Sequence, residues 1–556
     1  MGQTCSSPLK QCISDPAPPN KLKVRYSLRE LEKLYDSDEN PKLLEDFMTA
    51  WDMIKKKDAT DLRGFFAIGG FHGEPFVGAG AIDTNYWGGY CNHGNVLFPT
   101  WHRVYLKKLE EALDLAVPGV ALAYWDETSE ESLRYGIPHS LTDELFHYKT
   151  PDENGKYRDP IKNPLRSYTF PVEVEDANNG DKVYKKPEGY ETVRYPLSGL
   201  VGTEEARSKS ELHNSQFPSI EEQVKLLNKN VIAWLTGTEP VENVDSDDPK
   251  KVNLYKNFKE CLAAPTYTLF SNTTSANEHN KKELGKQIIP LESPHNTIHL
   301  AVGGYDEPGL EAGIITGANG DMGENNTAGF DPIFYLHHCN IDRMFWLWQK
   351  IHNCTDKLVI DEKDKGAQSN TFAHGGQGPV VNFPSDVTLT MSTPLTPFMV
   401  NEETDQRMYT SYDVVNIEKQ LGYTYSEGSL SSIRKSVLRS DGTVKGHGKL
   451  LNVSGIDRTL FAGSFVIAAY AEIDGQKRMI GYETILNPWR VEGCANCQNH
   501  LVVNFTFNLE SLSLAEVESA IFSVTISHRG EELPDDFTYE TEVVGGAEKS
   551  IARASK

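Results

Sequence analysis

Cysteine is scarce, with 8 residues in a chain of 556. So thin a supply builds no disulfide framework and argues against a small cross-linked module. Positive charge is also short: 55 Lys and Arg stand against 79 Asp and Glu, a formal net charge of -24. A surface of that sign repels polyanions, which argues against nucleic acid or a bare anionic membrane as partner. No apolar run is long enough to span a bilayer, and the N-terminus lacks the apolar core of a secretory signal. Cytoplasmic residence is therefore expected, and a sequon such as Asn353-Cys354-Thr355 carries no weight without a secretory route. One route to a membrane remains. The chain opens MGQTCS, which fits an acylation signal with Gly2 as myristoyl acceptor and Cys5 as palmitoyl acceptor, and two lipids anchor where one is marginal. The plainer alternative is a flexible leader over residues 1–20.

The length exceeds what one hydrophobic core usually serves, so two units are expected. Helical patterns such as KLLEDFMTAWDMIKKK dominate early, whereas after Tyr425 the chain turns to short alternating runs: FVIAAYAEI, HLVVNFTFNL, AIFSVTISH and FTYETEVV. The expected organisation is a mainly α unit, a helical bundle, over residues 21–428, followed by a β-sandwich over residues 429–556. The polar stretch from Asp152 to Glu191 reads as a loop insertion, with EVEDANNGDKVYKKPEGYE suited to a surface hairpin.

What the chain does have is histidine in a telling arrangement. Six of its 16 histidines fall into two triplets, His72, His93 and His102, then His295, His299 and His338, set among Gly, Trp and Phe in runs that otherwise read as core. An unpaired imidazole is costly in such surroundings. In ESPHNTIHL, His295 and His299 stand four residues apart and project from one face of a helix, with Pro294 suited to its opening turn. The run FDPIFYLHHCNIDRMFWLWQK reads as a long buried helix that delivers the third imidazole. Neighbouring helical residues point about 100° apart, so His337 and His338 do not both face one metal. The other triplet is more dispersed: IGGFHG and CNHG place His72 and His93 in Gly-flanked loops, and FPTWHRVYLKKLEEAL starts a helix carrying His102. Three neutral imidazoles suit a copper ion and leave a position open for a small ligand, and two such sites face to face make an oxygen-activating centre.

The runs GGFHG, YCNHGNVLFPTWHRVY, AYWDET, HNTIH and FDPIFYLHHCNIDR resemble the signatures of type 3 copper proteins: tyrosinases, catechol oxidases and molluscan haemocyanins. The likeness is strongest to fungal-type tyrosinases and spans roughly residues 20 to 425. It implies two copper ions, with His72, His93 and His102 on copper A and His295, His299 and His338 on copper B. It implies a thioether between Cys91 and His93, and an aromatic at Phe334 that covers copper B and stacks on the substrate ring. It also implies that Tyr423 and Tyr425 close the catalytic unit against an N-terminal arginine, for which Arg25 is the candidate. Asp331 and Asp342, flanking His338, are candidates for anchoring its helix.

The activity implied is oxidation of phenols by O2: monophenols hydroxylated at the ortho carbon, o-diphenols taken to o-quinones. Glu292 and Asn296 flank His295 and match a water-holding pair in members that deprotonate monophenols, since a phenol with a pKa of about 10 must lose its proton before binding copper. Helix starts also attract Glu and Asn for capping alone. Asn325 occupies a rim position that is Val in some fungal members, which makes the rim more polar, with Glu324 beside it. Catechol or o-aminophenol oxidation without monophenol hydroxylation, and reversible oxygen carriage, are the alternatives. By the same resemblance the C-terminal β-unit is expected to shield the site in a latent proenzyme, with cleavage or opening near residues 426 to 450; Leu486 and Trp489 are the candidates for a plug, ordinary sandwich core being the alternative for either. Cys494 and Cys497, close to His500, match a pair that delivers copper in some fungal members, since soft thiolates select Cu(I); a redox dithiol or a disulfide is the alternative.

Overall fold

The computed structural model describes residues 22–73, 89–152, 154–175, 185–199, 204–237, 241–245, 253–283, 287–304, 318–369, 387–401, 405–433, 448–488, 501–529, 537–545 and 550–553. Gly2, Cys5, Trp489, Cys494, Cys497 and His500 lie outside them. Two buried apolar cores divide the chain. One runs from Leu28 to Tyr423 and is built mostly from helices; the other runs from Leu451 to Val524 and is built from strands. No described helix is long and apolar enough to cross a membrane.

Five helices position the site: α1 (Pro41–Lys55), α2 (Phe65–Gly70), α3 (Phe98–Ala116), α5 (Glu292–Gly303) and α6 (Ile333–Ile351), with α4 (Ile220–Thr236) packed outside α5. Pro41 and Pro99 sit in the first turns of α1 and α3, where a missing N–H is harmless. Helix α6 is buried along almost its whole length, which explains why its sequence is apolar on every side. The core is rich in aromatic contacts, with Trp51 and Phe65 both packed on Tyr335. Within the polar insertion Val174–Glu175 pairs antiparallel with Lys185–Lys186, the base of the expected hairpin, although Val174 and Lys186 are buried rather than at the surface.

The N-terminal strand β1 (Lys23–Arg25) pairs in parallel with β2 (Tyr423–Tyr425), placing Arg25 beside Tyr425. Beyond it lie β3 (Leu450–Asp457), β4 (Ala462–Ile473), β5 (Gln476–Ile485), β6 (Val502–Asn508), β7 (Ile521–Arg529), β8 (Glu540–Val544) and β9 (Ser550–Arg553). They form two sheets, in the order β6-β3-β8-β9 and β5-β4-β7. Inward residues of both, Val453 and Phe505 from one and Phe465 and Ile467 from the other, share one core, as in a β-sandwich. Four of these strands coincide with the alternating runs of the sequence. The outer face of β4 and β5 packs on α4 and α5 through Val466, Ala468, Tyr482 and Leu486 against Trp234, Leu300 and Ala301.

Candidate metal centre

Helix α5 projects His295 and His299 from one face, and α6 brings His338 to meet them. The three Nε2 atoms converge, 3.1 Å from His295 to His338, 3.1 Å from His299 to His295 and 3.2 Å from His299 to His338. The far nitrogens show which tautomer is present. His299 donates Nδ1–H to the Met322 carbonyl at 2.9 Å, and His295 Nδ1 lies 2.9 Å from Asn296 Oδ1. Both arrangements leave a lone pair on Nε2. Lone pairs so close repel one another unless a cation sits among them. Nitrogens about 2 Å from one ion in tetrahedral directions stand roughly 3.3 Å apart, so the spacing fits a metal. Gly303 makes the Met322 contact possible: a Cβ there would lie 2.0 Å from the Gly323 nitrogen, so only glycine lets the end of α5 meet that loop.

The other triplet draws on three segments. His72 follows α2, His93 stands on the Cys91–Gly94 loop, and His102 occupies the second turn of α3. Their ligand nitrogens all lie within 4.8 Å of one another. His102 donates Nδ1–H to the Phe98 carbonyl at 2.8 Å. The Nε2 atoms of His72, His93 and His102 have no hydrogen-bond partner among the described residues, which is the condition of a vacant lone pair inside a core. Gly329 lets the loop before α6 approach, since a Cβ there would meet the Gly69 carbonyl at 2.7 Å and the His72 Cβ at 3.0 Å.

The two triplets face each other. The His102 and His338 rings stack at 4.6 Å, and His93 stacks on His295 at 5.5 Å. Burial, reinforced for most of them by neighbouring imidazoles, holds all six below the ordinary histidine range, His102 at about 3. They are neutral ligands at any working pH. Both clusters fit the donor set of a copper ion.

His337 also lies in the second cluster, stacked on His295 at 5.3 Å. Its Nδ1, however, is 2.6 Å from Glu127 Oε1, and Glu127 Oε2 accepts from Asn340 Nδ2 at 2.6 Å. Burial drives the Glu127 carboxyl well above the usual carboxylate range and His337 down to about 3, which describes a neutral acid bonded to a neutral imidazole. Glu127 lies in the AYWDET run, where nothing in the sequence set it apart from its neighbour Asp126.

The structure places the other expected residues as follows. Phe334 stacks on His338 at 4.0 Å and meets His72 edge-on at 4.6 Å; it is fully buried and offers no surface to a substrate ring here. Asn325 is buried with its amide 3.9 Å from the Cys91 sulfur, a thiol that burial pushes up to about 12. Glu292 is buried; Oε1 accepts from the Gly94 N–H at 2.7 Å, and Oε2 from the Thr273 N–H at 2.9 Å and its hydroxyl at 3.0 Å. Burial raises its carboxyl, against those bonds and the nearby Arg458. Asp331 accepts two bonds from Arg194 and Asp342 accepts from Arg25, Arg103, Tyr423 and Tyr425, so both anchor α6.

A cavity between the two halves is lined by His93, Glu292, Asn296, Arg458, Thr484 and Leu486. The sandwich thus closes the approach to the site. Leu486 is buried there, and its carbonyl accepts from Arg458. Arg458, Glu483 and Thr484 were not singled out by the sequence, because nothing in a strand pattern tells which end faces another core.

The family model for the common central domain of tyrosinase matches residues 62–351. A tyrosinase of Hahella sp. (strain CCB-MM4) is 48% identical over 528 residues, covering 92% of this chain and 92% of that protein. A tyrosinase of Aspergillus oryzae is 40% identical over 498 residues, covering 86% and 87%. Among solved structures, a tyrosinase from Burkholderia thailandensis at low pH superposes with a TM-score of 0.80 at 46% identity, covering 94% of this chain and 100% of that one. With two histidine clusters fitted to a copper pair, the chain belongs to the tyrosinase family, dinuclear copper enzymes that act on phenols with O2.

Proposed function

We propose that the enzyme hydroxylates monophenols as well as oxidising o-diphenols to o-quinones, and that the β-sandwich keeps it latent until displaced. In this reading His72, His93 and His102 hold copper A, and His295, His299 and His338 hold copper B. The copper pair, when bound, supplies the binding and activation of O2. The chain's own residues supply geometry and proton handling.

The observation that carries the hydroxylase reading is the pair of groups around His295. Asn296 fixes the His295 ring through Oδ1, and Glu292, one turn earlier on the same side of the helix, lines the same cavity. Its Oε1 accepts one bond from the described residues, which leaves a lone pair for a water. A carboxylate raised by burial is a better match to the proton of a phenol than an ordinary one. Glu292 thus serves as the base that makes the phenolate, through a water that the Asn296 amide helps to orient. Phe334 locks the His338 and His72 rings relative to one another. A Cys91–His93 thioether would fix a ring that stands on a loop rather than on a helix, and Asn325 makes the rim more polar. Cys494 and Cys497 are assigned to copper delivery.

Latency is supported by the sheet closing the cavity at Thr484 and Leu486. The test is oxygen uptake by copper-loaded protein, intact and cut after about residue 430, with a monophenol and then its catechol. The cut form is expected to consume oxygen with both, and the intact form slowly. Uptake with catechol alone would remove the hydroxylase reading, and equal rates before and after cutting would remove latency.

A further inference from the structure

We propose that the C-terminal sheet is a structural part of the copper B site as well as its cover: it forms the outer wall of the helix that carries His295 and His299, and it fixes the His295 ring through Asn296. This rests on the assignment of these histidines to copper.

Helix α5 has two opposite faces. At 100° per residue, His295, His299 and Val302 fall on one side, and Ser293, Asn296, Thr297, Leu300 and Ala301 on the other. Every residue of the helix is buried, although Ser, Asn and Thr populate its outer face. The sheet provides both the burial and the partners. Ser293 donates its hydroxyl to Glu483 at 2.9 Å, the Thr297 and Thr484 hydroxyls are bonded at 2.9 Å, and Asn296 Nδ2 donates to the Thr484 carbonyl at 3.3 Å. One turn further on, Leu300 and Ala301 pack with Val466, Ala468, Tyr482 and Leu486, and Trp234 meets Tyr482 edge-on at 5.1 Å.

The Asn296 bond connects the sheet to the ligand. A carbonyl accepts only, so the Thr484 carbonyl dictates that the amide presents its NH2 outward and its Oδ1 inward. Oδ1 then accepts from His295 Nδ1–H, and Nε2 keeps its lone pair for copper. Without the carbonyl the amide is able to turn over, and the turned amide offers N–H where His295 needs an acceptor, so a chain with the sheet displaced keeps its three imidazoles but holds copper B less firmly. Thr484 is therefore a positioning residue for copper B, acting through Asn296. On the copper A side, the Phe98 carbonyl that holds His102 belongs to the ligand's own helix.

The experiment uses the full-length copper-loaded protein and the double variant Tyr482→Ala/Leu486→Ala, which loosens the sheet on α5 while leaving the core of the sandwich intact. Copper per chain is followed during dialysis against a chelator, with EPR of the remaining Cu(II). Outer partners of a metal ligand typically change affinity about 10- to 100-fold. The variant is expected to lose one copper per chain at least about tenfold faster than wild type, and to gain the signal of an isolated Cu(II), because a lone ion is paramagnetic where a coupled pair is silent. The milder pair Ser293→Ala/Thr297→Ala removes both side-chain hydroxyls that tie α5 to the sheet, so that the Thr484 carbonyl is no longer held over Asn296, and is expected to lose copper in the same direction if the first variant does not fold. Two firmly held copper ions and a silent spectrum in both variants would overturn the brace while leaving the cover intact. A wild type that never holds two copper ions would overturn the underlying assignment instead.

Discussion

Glu292 accepts from three donors, the N–H of Gly94 beside His93 and the N–H and hydroxyl of Thr273. Glu292→Gln turns one oxygen into an NH2 facing an N–H donor, which costs about 1–3 kcal/mol of stability as the penalty for an unsatisfied buried donor. In the proposed mechanism it also removes the base. Monophenol turnover is expected to fall at least about tenfold while catechol turnover, which needs a less demanding deprotonation, falls less; steady-state rates on the two phenols and a thermal melt check both halves. The six imidazoles were legible in the sequence because their spacing and apolar surroundings leave few other uses for them. The groups that set their tautomers were not. Met322 and Phe98 act through backbone carbonyls, which every residue possesses, so no side chain advertises them.

Helix α5 shows how an element serves two cores at once. Its i, i+4 histidines were readable, but its outer Ser, Asn and Thr look like the solvent face of an ordinary amphipathic helix until a sheet is found against them. The interface carries a titratable group. Burial pushes the Glu483 carboxyl up to about 7, so between the ordinary carboxylate value and 7 the assembled chain binds a proton that the unfolded chain does not. That contribution is fully present below the unfolded value and is lost as pH rises through about 7. The melting temperature of wild type is expected to decline across that window more than that of Glu483→Gln, whose amide does not titrate; parallel profiles would contradict it. Strands β4, β6, β7 and β8 were visible as alternating runs. β3 and β5 were not singled out, β3 because Leu450 to Val453 are buried without alternation and Gly455 follows, and β5 because its opening residues Gln476 and Lys477 are polar and exposed.

The fold is closed by one carboxylate. Asp342 joins Arg25 of β1, Arg103 of α3, and Tyr423 and Tyr425 of β2 to α6, four residues after His338. Arg25 also lies 3.5 Å over the Tyr423 ring and pairs with Glu110. The sequence suggested the Arg25 and Tyr423–Tyr425 meeting, but the acid at its centre was one of two candidates with no way to choose its partners. Burial pushes the Asp342 carboxyl up, yet Arg103 and Arg25 outweigh it and hold it below the ordinary value. Its contribution is therefore present above the unfolded value and lost as pH falls through the folded one. Asp342→Ala leaves Arg103 with neutral acceptors alone and Arg25 with Glu110 as its remaining carboxylate partner, and is expected to cost about 3–5 kcal/mol in denaturant unfolding at neutral pH, narrowing to less in acid. A cost within error of zero would contradict the closure.

The copper assignment rests on which imidazoles point inward, and copper content by mass spectrometry measures that directly. Purified, copper-loaded protein is expected to hold two copper ions per chain. His93→Ala and His338→Ala should each hold one, whereas His337→Ala, which removes only the partner of Glu127, should still hold two. A His337→Ala protein with one copper and a His338→Ala protein with two would contradict the account.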